Sequence, residues 1–257
     1  MNYTFLRRGD QLPAVGVLQK LLNRGEAKLV ADGIFGPHTE AAVREFQRVR
    51  HMGVDGIVGK DTWPRVSAGA NLRILDCIDV FDPSLLQLEA TDIKRAGGNP
   101  MLIGGACNGV AEAVNLILRA AGAGTVFLLR FHGHGAPGVA GVSFGQGEIG
   151  WGERADIDVA NFNTLQPTLA RLRPIFSDYG NVQFMHCETG SGTKGRRLLQ
   201  LIANTLGVPA TAALHIQYGG GLDTFKFEGP TFTALPGGGS LGTWCRSLPD
   251  FPGMSVA

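Results

Sequence analysis

Two short segments of this chain place residues capable of nucleophilic chemistry directly after apolar runs. The first apolar run, Val126–Phe131, leads into His132-Gly133-His134-Gly135. The second, Val182–Met185, leads into His186-Cys187-Glu188-Thr189-Gly190. A thiol of ordinary pKa is only a few per cent thiolate near neutral pH, so a nucleophilic cysteine needs a base such as imidazole beside it. A Cys–His dyad formed by these two segments is therefore the first hypothesis for the chemistry of this protein.

The elements around these segments must bring the two reactive side chains together. Each apolar run is typical of a buried strand, and the glycine-rich turn after Cys187 leads into a helical pattern that begins near Arg196. The other predicted elements alternate in the same way: strands at 73–81 and 210–215, helices at 109–121, 163–176 and 196–206, an irregular helix or loop at 83–95, a small hairpin at 142–149, and a late hairpin formed by 225–227 and 231–235. Such alternation predicts an α/β fold with a mainly parallel sheet, whose neighbouring strands would present histidine and cysteine at one edge.

Composition excludes several classes of protein. The chain has 257 residues and a net charge of +1, which gives no electrostatic case for binding nucleic acid. No apolar run approaches the ~18 residues of a membrane helix, so no membrane span is expected. The four cysteines are widely spaced without a CxxC pair, which argues against a structural zinc site, and a Cys77–Cys107 disulfide stays open. We expect no metal and no organic cofactor.

The first 68 residues carry an internal repeat. Asp32-Gly33-Ile34-Phe35-Gly36-Pro37-His38-Thr39 recurs as Asp55-Gly56-Ile57-Val58-Gly59-Lys60-Asp61-Thr62, 55 − 32 = 23 residues later. Each copy contains an Asp-Gly turn, an apolar residue and a threonine that would start a helix, which makes Thr39 a candidate N-cap. Helical apolar spacing at 15–22 and 39–47 predicts a small helical module.

Residues 6–66 resemble the peptidoglycan-binding domain type 1, a three-helix module. The resemblance is carried by five segments and by the position of Trp63: Leu6–Asp10, Val17–Gln19, Asp32–Pro37, Ala42–Gln47 and Val54–Gly59. It implies peptidoglycan as a partner, with Ile34, Phe35, Phe46 and Trp63 interpreted as core residues. The short small-residue stretch 64–71 reads as a linker, which divides the chain into a binding module at 1–68 and a second domain at 69–257.

The order of the two reactive residues distinguishes among cysteine hydrolases. Papain-like, NlpC/P60-like and CHAP enzymes have their cysteine before the histidine, whereas here His134 precedes Cys187. The segments 131–135 and 187–190 resemble the caspase-like (clan CD) cysteine peptidases, in particular the CHAT branch, and residues 134–138 with 206–210 are similar to the DUF4347 group. This resemblance implies a caspase-like α/β/α fold, Cys187 as nucleophile, His134 as acid–base, and the backbone amides of Gly135 and Cys187 as oxyanion donors.

Three neighbouring residues have less defined roles. His132 is interpreted as either structural or substrate-facing, and Glu188 either faces the substrate or is a solvated loop acid. His186 immediately precedes the nucleophile, so its side chain should point to the opposite face of the strand and be structural.

Together these features predict a wall-targeted cysteine hydrolase that cleaves amide bonds through a thioester. Its substrate would be a wall-proximal protein or a peptidoglycan stem peptide. The alternative is a non-catalytic peptidoglycan-binding protein with a caspase-like scaffold. The N-terminal residues show no segment typical of a signal peptide. We therefore expect an extracytoplasmic protein that is exported by another route, as for an interbacterial effector or a lytic enzyme.

Overall fold

The computed structural model describes residues 4–103, 109–142, 156–218 and 226–253. The chain forms two compact units: one comprises the residues up to Leu72 together with those from Gly239 onward, and the other is Arg73–Gly238. The sequence-based division at 68/69 differs from this grouping, because it placed residues 239–257 with the larger domain. The C-terminal segment belongs to the first unit because its contacts are with that unit, although it follows the second unit in the chain.

The chain contains helices and strands in both units, and they alternate along most of the second unit. In chain order they are α1 (Pro13–Asn23), α2 (Pro37–Val49), α3 (Trp63–Val66), β1 (Arg73–Asp79), α4 (Pro83–Arg95), β2 (Met101–Ile103), α5 (Val110–Ala120), β3 (Val126–His132), β4 (Gly135–Ala136), β5 (Val139–Gly141), β6 (Asp156–Asp158), α6 (Phe162–Ala170), β7 (Phe176–Met185), α7 (Gly192–Leu206), β8 (Ala210–Ala213), β9 (Thr231–Ala234) and α8 (Leu241–Ser247). Among the described residues, no helix combines the length and the apolar character needed to cross a membrane.

In the first unit, a buried glutamine on α1 holds the first copy of the repeated turn. The amide nitrogen of Gln19 donates to Asp32 Oδ1 at 2.8 Å and to Thr39 Oγ1 at 3.1 Å, and its oxygen accepts from the N–H of Gly33 at 3.0 Å. One buried side chain thus satisfies polar groups on both sides of the turn. Thr39 is not the N-cap predicted from the sequence: α2 begins at Pro37 after Gly36.

A second glutamine, on α2, does the same for the second copy. The amide nitrogen of Gln47 donates to Asp55 Oδ1 at 2.7 Å and to Thr62 Oγ1 at 3.2 Å, and its oxygen accepts from the N–H of Gly56 at 2.9 Å. The repeat seen in the sequence is therefore a repeat of polar contacts as well as of turns.

The C-terminal segment completes the first unit. Helix α8 packs on α1, and Cys245 lies so close to Gly16 that any side chain at position 16 would clash with its sulfur. Lys20 Nζ and Asp250 Oδ1 form an ion pair at 2.7 Å. Residues 236–257 carry no long apolar period, so the sequence did not indicate that this segment packs on α1.

The second unit is built on a six-stranded sheet with the order β2-β1-β3-β7-β8-β9. All neighbouring pairs are parallel except β8–β9. The predicted α/β fold with a mainly parallel sheet is thus confirmed. Apolar residues of α5, α6 and α7 pack on one face of the sheet, where the rings of Phe131 and Phe184 stack with centroids 5.3 Å apart. On the other face, Ile93 of α4 packs against Ile78 of β1.

Several boundaries differ from the sequence prediction. The helix predicted at 163–176 ends at Ala170, because a 3₁₀ turn at Arg173–Ile175, which includes Pro174, leads directly into β7. Helix α7 starts at Gly192 rather than near 196. The segment 83–95, predicted as an irregular helix or a loop, is a regular helix. Of the hairpin predicted at 142–149, residues 143–149 lie outside the described residues, as does Phe225 of the late hairpin, whose other strand, β9, pairs with β8.

Candidate active site

Strands β3 and β7 are parallel neighbours, with Phe131 opposite Phe184 and His132 opposite Met185. The carboxyl ends of parallel strands meet at one edge of a sheet, which is where α/β proteins bind their ligands. His134 follows β3 by two residues, and Cys187 follows β7 by two residues. The structure thus brings these two residues to the same edge, as expected from the sequence.

Cys187 is a free, half-buried cysteine in the turn between β7 and α7. Its sulfur donates to the carbonyl of Gln217 at 3.4 Å and accepts from the N–H of the same residue at 3.3 Å. Within the described residues, the N–H of Cys187 itself donates to no acceptor. The thiol is therefore held by the segment that follows β8, and its own amide is available to a ligand.

His134 is half exposed, and a carboxylate fixes one of its ring nitrogens. Its Nε2 lies 3.1 Å from Oδ2 of Asp82, and the imidazole meets the ring of Phe81 edge-on. The other oxygen of Asp82, Oδ1, caps α4 by accepting from the N–H groups of Ser84 and Leu85 at 2.9 and 3.1 Å. The hydrogen bond from Leu85 and then that from His134 hold the pKa of Asp82 below its ordinary value.

This arrangement determines which nitrogen of His134 is free. An imidazole whose Nε2–H donates to a carboxylate presents Nδ1 as its lone-pair nitrogen, so Nδ1 is the atom able to accept a proton. Asp82 was not among the site residues predicted from the sequence. The available signal was an aspartate directly before a proline, the pattern of an N-cap followed by Pro at the first helical position.

His134 and Cys187 line the same pocket, which has a volume of about 300 Å³. The other lining residues come from α4, the strand ends and the segments that flank residues 219–225: Asp82, Ser84, Leu85, Leu88, Glu89, Gly133, Met185, Gln217, Tyr218, Lys226 and Glu228. The pocket is large enough for a side chain or a short peptide segment, and it joins the two candidate reactive residues in one space.

Gly135 lies against the cysteine turn and could not carry a side chain. A Cβ at this position would lie 2.5 Å from Oγ1 of Thr189 and 2.9 Å from the carbonyl oxygen of Cys187. The N–H of Gly141 donates to the carbonyl of His134 at 3.0 Å, which makes these two residues a hydrogen-bonded pair of the β4–β5 hairpin. In an antiparallel ladder the next pair, which contains Gly135, is non-hydrogen-bonded. The hairpin therefore leaves the N–H of Gly135 unused.

Glu188 and His186 flank the cysteine but stay outside the pocket. Glu188 has a left-handed backbone conformation with φ 53°, and its N–H donates to the carbonyl of His215 at 3.1 Å. His186 is fully buried, with Nε2 2.7 Å from the carbonyl of Gly141. Burial lowers the pKa of His186 to about 3. A buried neutral imidazole matches the structural role expected for His186.

His132 lies beneath the pocket rather than in it. Only 1% of its surface is exposed; its Nδ1 is 3.1 Å from Glu89 Oε2, and its Nε2 is 3.2 Å from Asp76 Oδ1. Burial works against the charged imidazole, but the hydrogen bonds to Asp76 and Glu89 raise the pKa of His132 above its ordinary value. Of the two roles considered for His132, the structure favours the structural one, since both ring nitrogens are occupied by carboxylates.

Asp76 also connects this histidine to a buried arginine. Its Oδ1 accepts from Nε of Arg130 at 2.6 Å. Burial raises the pKa of Asp76, but the charge of Arg130 and the hydrogen bond from His132 outweigh it and bring the pKa to about 2. We call the four side chains Asp76, Glu89, Arg130 and His132 the buried ionic cluster. Among the described residues, no three His, Cys, Asp or Glu side chains are grouped so as to hold a metal ion.

Comparison with known proteins identifies the first unit. Residues 11–65 match the family model described as a putative peptidoglycan binding domain. The resemblance found in the N-terminal sequence is thereby confirmed for these residues. The matched residues all lie in the first unit and account for about a fifth of the chain.

Three solved structures share sequence with parts of the chain. A peptidoglycan-binding protein from Clostridioides difficile, in complex with glutamine hydroxamate, is 31% identical over 24% of this chain and 39% of that one, with a TM-score of 0.24. A fused Zn-dependent amidase/peptidase/peptidoglycan-binding domain-containing protein from Clostridium acetobutylicum is 25% identical over 36% and 43%, with a TM-score of 0.25. The endolysin of Burkholderia phage AP3 is 33% identical over 35% and 33%, with a TM-score of 0.24. This chain spans less than half the length of each protein.

Proposed function

We propose that the second unit is a caspase-like cysteine hydrolase that cleaves amide bonds, and that the peptidoglycan-binding domain delivers it to the cell wall. The observation that carries this proposal is the shared pocket at the carboxyl edge of β3 and β7, which contains both His134 and Cys187. The substrate would be a wall-proximal protein or a peptidoglycan stem peptide, and no organic cofactor takes part in the steps below.

The first half-reaction forms a thioester. Nδ1 of His134 takes the proton of the Cys187 thiol, and the sulfur attacks the carbonyl carbon of the scissile amide. The resulting oxyanion accepts hydrogen bonds from the N–H groups of Gly135 and Cys187, neither of which is used within the described fold. The tetrahedral species collapses when the imidazolium gives its proton to the departing amine, which leaves the acyl group on the sulfur.

The second half-reaction restores the enzyme. A water molecule enters where the amine left, and Nδ1 of His134 takes a proton from it during attack on the thioester carbon. Collapse of this second tetrahedral species returns the proton to the sulfur and releases a carboxylic acid. Asp82 acts as a positioning residue throughout, because its hydrogen bond to Nε2 fixes the ring and stabilises the imidazolium.

The proposed wall-binding surface is a groove of about 850 Å³ in the first unit, between α2 and the connection from α1 to α2. Three apolar side chains with large exposed fractions line it: Val30, Ile34 and Val49. Ile34 was interpreted as a core residue from the sequence, but it is 44% exposed. Exposed apolar side chains that gather in one groove are typical of a binding surface.

The activity is tested by incubating purified sacculi and a peptide library with wild-type protein and with the Cys187→Ala variant. Products are identified by mass spectrometry. We expect new amine and carboxyl termini with wild type and none with the variant. Equal product patterns, or no products from either, would favour the non-catalytic alternative, in which the second unit is a scaffold.

The groove is tested by co-sedimentation with the same sacculi. Val49→Asp places a charge in the groove at a position that is 57% exposed, so the fold should tolerate it. Leu102→Asp is the matched control, because Leu102 is 51% exposed on the edge strand β2 of the other unit. We expect the first variant to lose most of its sedimentation and the second to keep it; the same loss in both would exclude the groove.

A further inference from the structure

Glu89 is a nearly buried carboxylate that lines the pocket beside His134 and Cys187. It lies on α4 and is only 5% exposed. One oxygen, Oε2, is held by Nδ1 of His132 at 3.1 Å, whereas Oε1 has no partner among the described residues. A carboxylate buried to this degree normally has its oxygens satisfied, so an open oxygen that faces a pocket points to a ligand with a hydrogen-bond donor.

The charges around the pocket favour a cation as that donor. Among the described lining residues, three are acidic, Asp82, Glu89 and Glu228, and one is basic, Lys226. Oδ2 of Asp82 is taken by His134, and Oε2 of Glu228 accepts from the N–H of Tyr218 at 2.6 Å. Glu89 is therefore the nearly buried acid of this wall whose second oxygen has no partner among the described residues, and charge-assisted hydrogen bonds to a carboxylate oxygen are stronger than those between neutral groups.

The rest of the pocket wall suits an apolar stem. Leu85 and Leu88 of α4 and Met185 at the end of β7 line it together with Glu89. A lysine-type side chain combines a four-carbon stem with a primary ammonium group at its end. We propose that the pocket binds a substrate side chain of this type next to the scissile bond, and that Glu89 determines the specificity by accepting a hydrogen bond from the ammonium group. This inference rests on the proposed function and adds its substrate class.

The geometry favours an ammonium group over a guanidinium group. A guanidinium binds a carboxylate best through two parallel hydrogen bonds, but only one oxygen of Glu89 is open, since His132 holds the other. A compact ammonium needs only one acceptor. The buried ionic cluster also fixes the carboxylate from behind, which lowers the entropy lost on binding.

The test uses three tripeptidyl chloromethyl ketones that end in lysine, norleucine or glutamate. In each, the Cys187 sulfur displaces chloride from the methylene carbon, and mass spectrometry of the intact protein and its peptides gives the rate of alkylation. Norleucine has the stem of lysine without the ammonium group. In wild type we expect lysine to react about tenfold or more faster than norleucine, and glutamate to react slowest.

Two variants test whether Glu89 is the residue that causes the preference for lysine over norleucine. Glu89→Gln removes the charge and keeps the shape, so the lysine-to-norleucine ratio should fall to about one while the norleucine rate is retained. Glu188→Gln removes the same charge from the turn beside Cys187 but outside the pocket, and its ratio should match that of wild type. Circular dichroism checks that each variant is folded, and a wild-type ratio near one overturns the proposal whether or not Glu89→Gln folds.

The outcomes separate this inference from the proposed function. A wild-type ratio near one, or a preference that survives in a folded Glu89→Gln variant, overturns the role of Glu89. Rapid labelling of Cys187 by iodoacetamide in the same protein would then leave the proposed nucleophile standing. If neither iodoacetamide nor any ketone labels Cys187, both the proposed function and this inference are refuted.

Discussion

The buried histidine that precedes Cys187 should make the second unit sensitive to mild acid. His186 has a pKa of about 3 in the fold against an ordinary value of 6.5, because burial opposes the charged form. The unfolded chain therefore binds a proton at His186 between about pH 6.5 and pH 3, whereas the folded chain does not. Stability is full above pH 6.5 and falls as the pH is lowered through this window.

The size of the effect follows from the distance between the two pKa values. Each pH unit inside the window costs about 1.4 kcal/mol, so at pH 5 the loss relative to pH 6.5 is about 2 kcal/mol. The pKa of His132 is raised, so its contribution is already complete below pH 6.5. That of Asp76, whose folded pKa is about 2, is lost only below its ordinary pKa of 3.8. Neither group changes between pH 6.5 and pH 5.

The assay is urea denaturation followed by circular dichroism at pH 7.5, 6.5 and 5. The matched variant is His186→Gln, whose amide can still donate to the carbonyl of Gly141 but cannot titrate. We expect wild type to lose about 2 kcal/mol between pH 6.5 and pH 5 and the variant to lose much less. The same loss in both proteins would show that His186 is not the group responsible and would refute this reasoning.

Three further predictions concern the pocket. Cys187 should react faster with iodoacetamide at pH 6–7 than Cys245, since burial raises the pKa of Cys245 to about 12; equal labelling by mass spectrometry would contradict a paired thiol. His134→Ala should lower turnover roughly a hundredfold or more without loss of stability. His132→Ala should chiefly lower the urea midpoint, because it breaks the buried ionic cluster. The reverse result would exchange the roles of the two histidines. Asp82→Asn should keep the helix cap but reduce kcat through the wrong histidine tautomer, and an unchanged pH–rate profile would show that Asp82 does not position the ring.

The parts of the site that the sequence predicts are those that depend on local pattern. Nearly continuous apolar runs, interrupted by Arg130 in β3 and Gln183 in β7, indicated these two strands, because a strand buried on both faces of a parallel sheet needs apolar residues at most successive positions. The residues just beyond those runs, His134 and Cys187, are therefore visible without a structure. Their placement on adjacent strands is confirmed by the pairing of β3 with β7.

The residues that surround His134 and Cys187 could not be found in this way. Glu89 and Gln87 lie two positions apart in one helix, and the apolar periodicity of the sequence does not indicate which of them faces a pocket. That choice depends on how α4 lies on the sheet, where Glu89 meets His132, 43 residues away in the chain. Asp82 carried a local signal for a helix cap, but its contact with His134 spans 52 residues. Contacts of this range are set by strand order, which the sequence leaves open.

The two buried glutamines make equivalent contacts in the two copies of the repeat, but their spacing in the sequence differs from that of the turns. The Asp-Gly turns recur 23 residues apart, whereas Gln19 and Gln47 are 47 − 19 = 28 residues apart. The difference arises because 13 residues separate Gln19 from Asp32 and only 8 separate Gln47 from Asp55. A search at the period of the turns therefore never aligns the glutamines, although each makes the same contacts in its own copy. The unit that repeats is a set of hydrogen bonds, and loops of different length can close around the same set because added loop length costs little free energy.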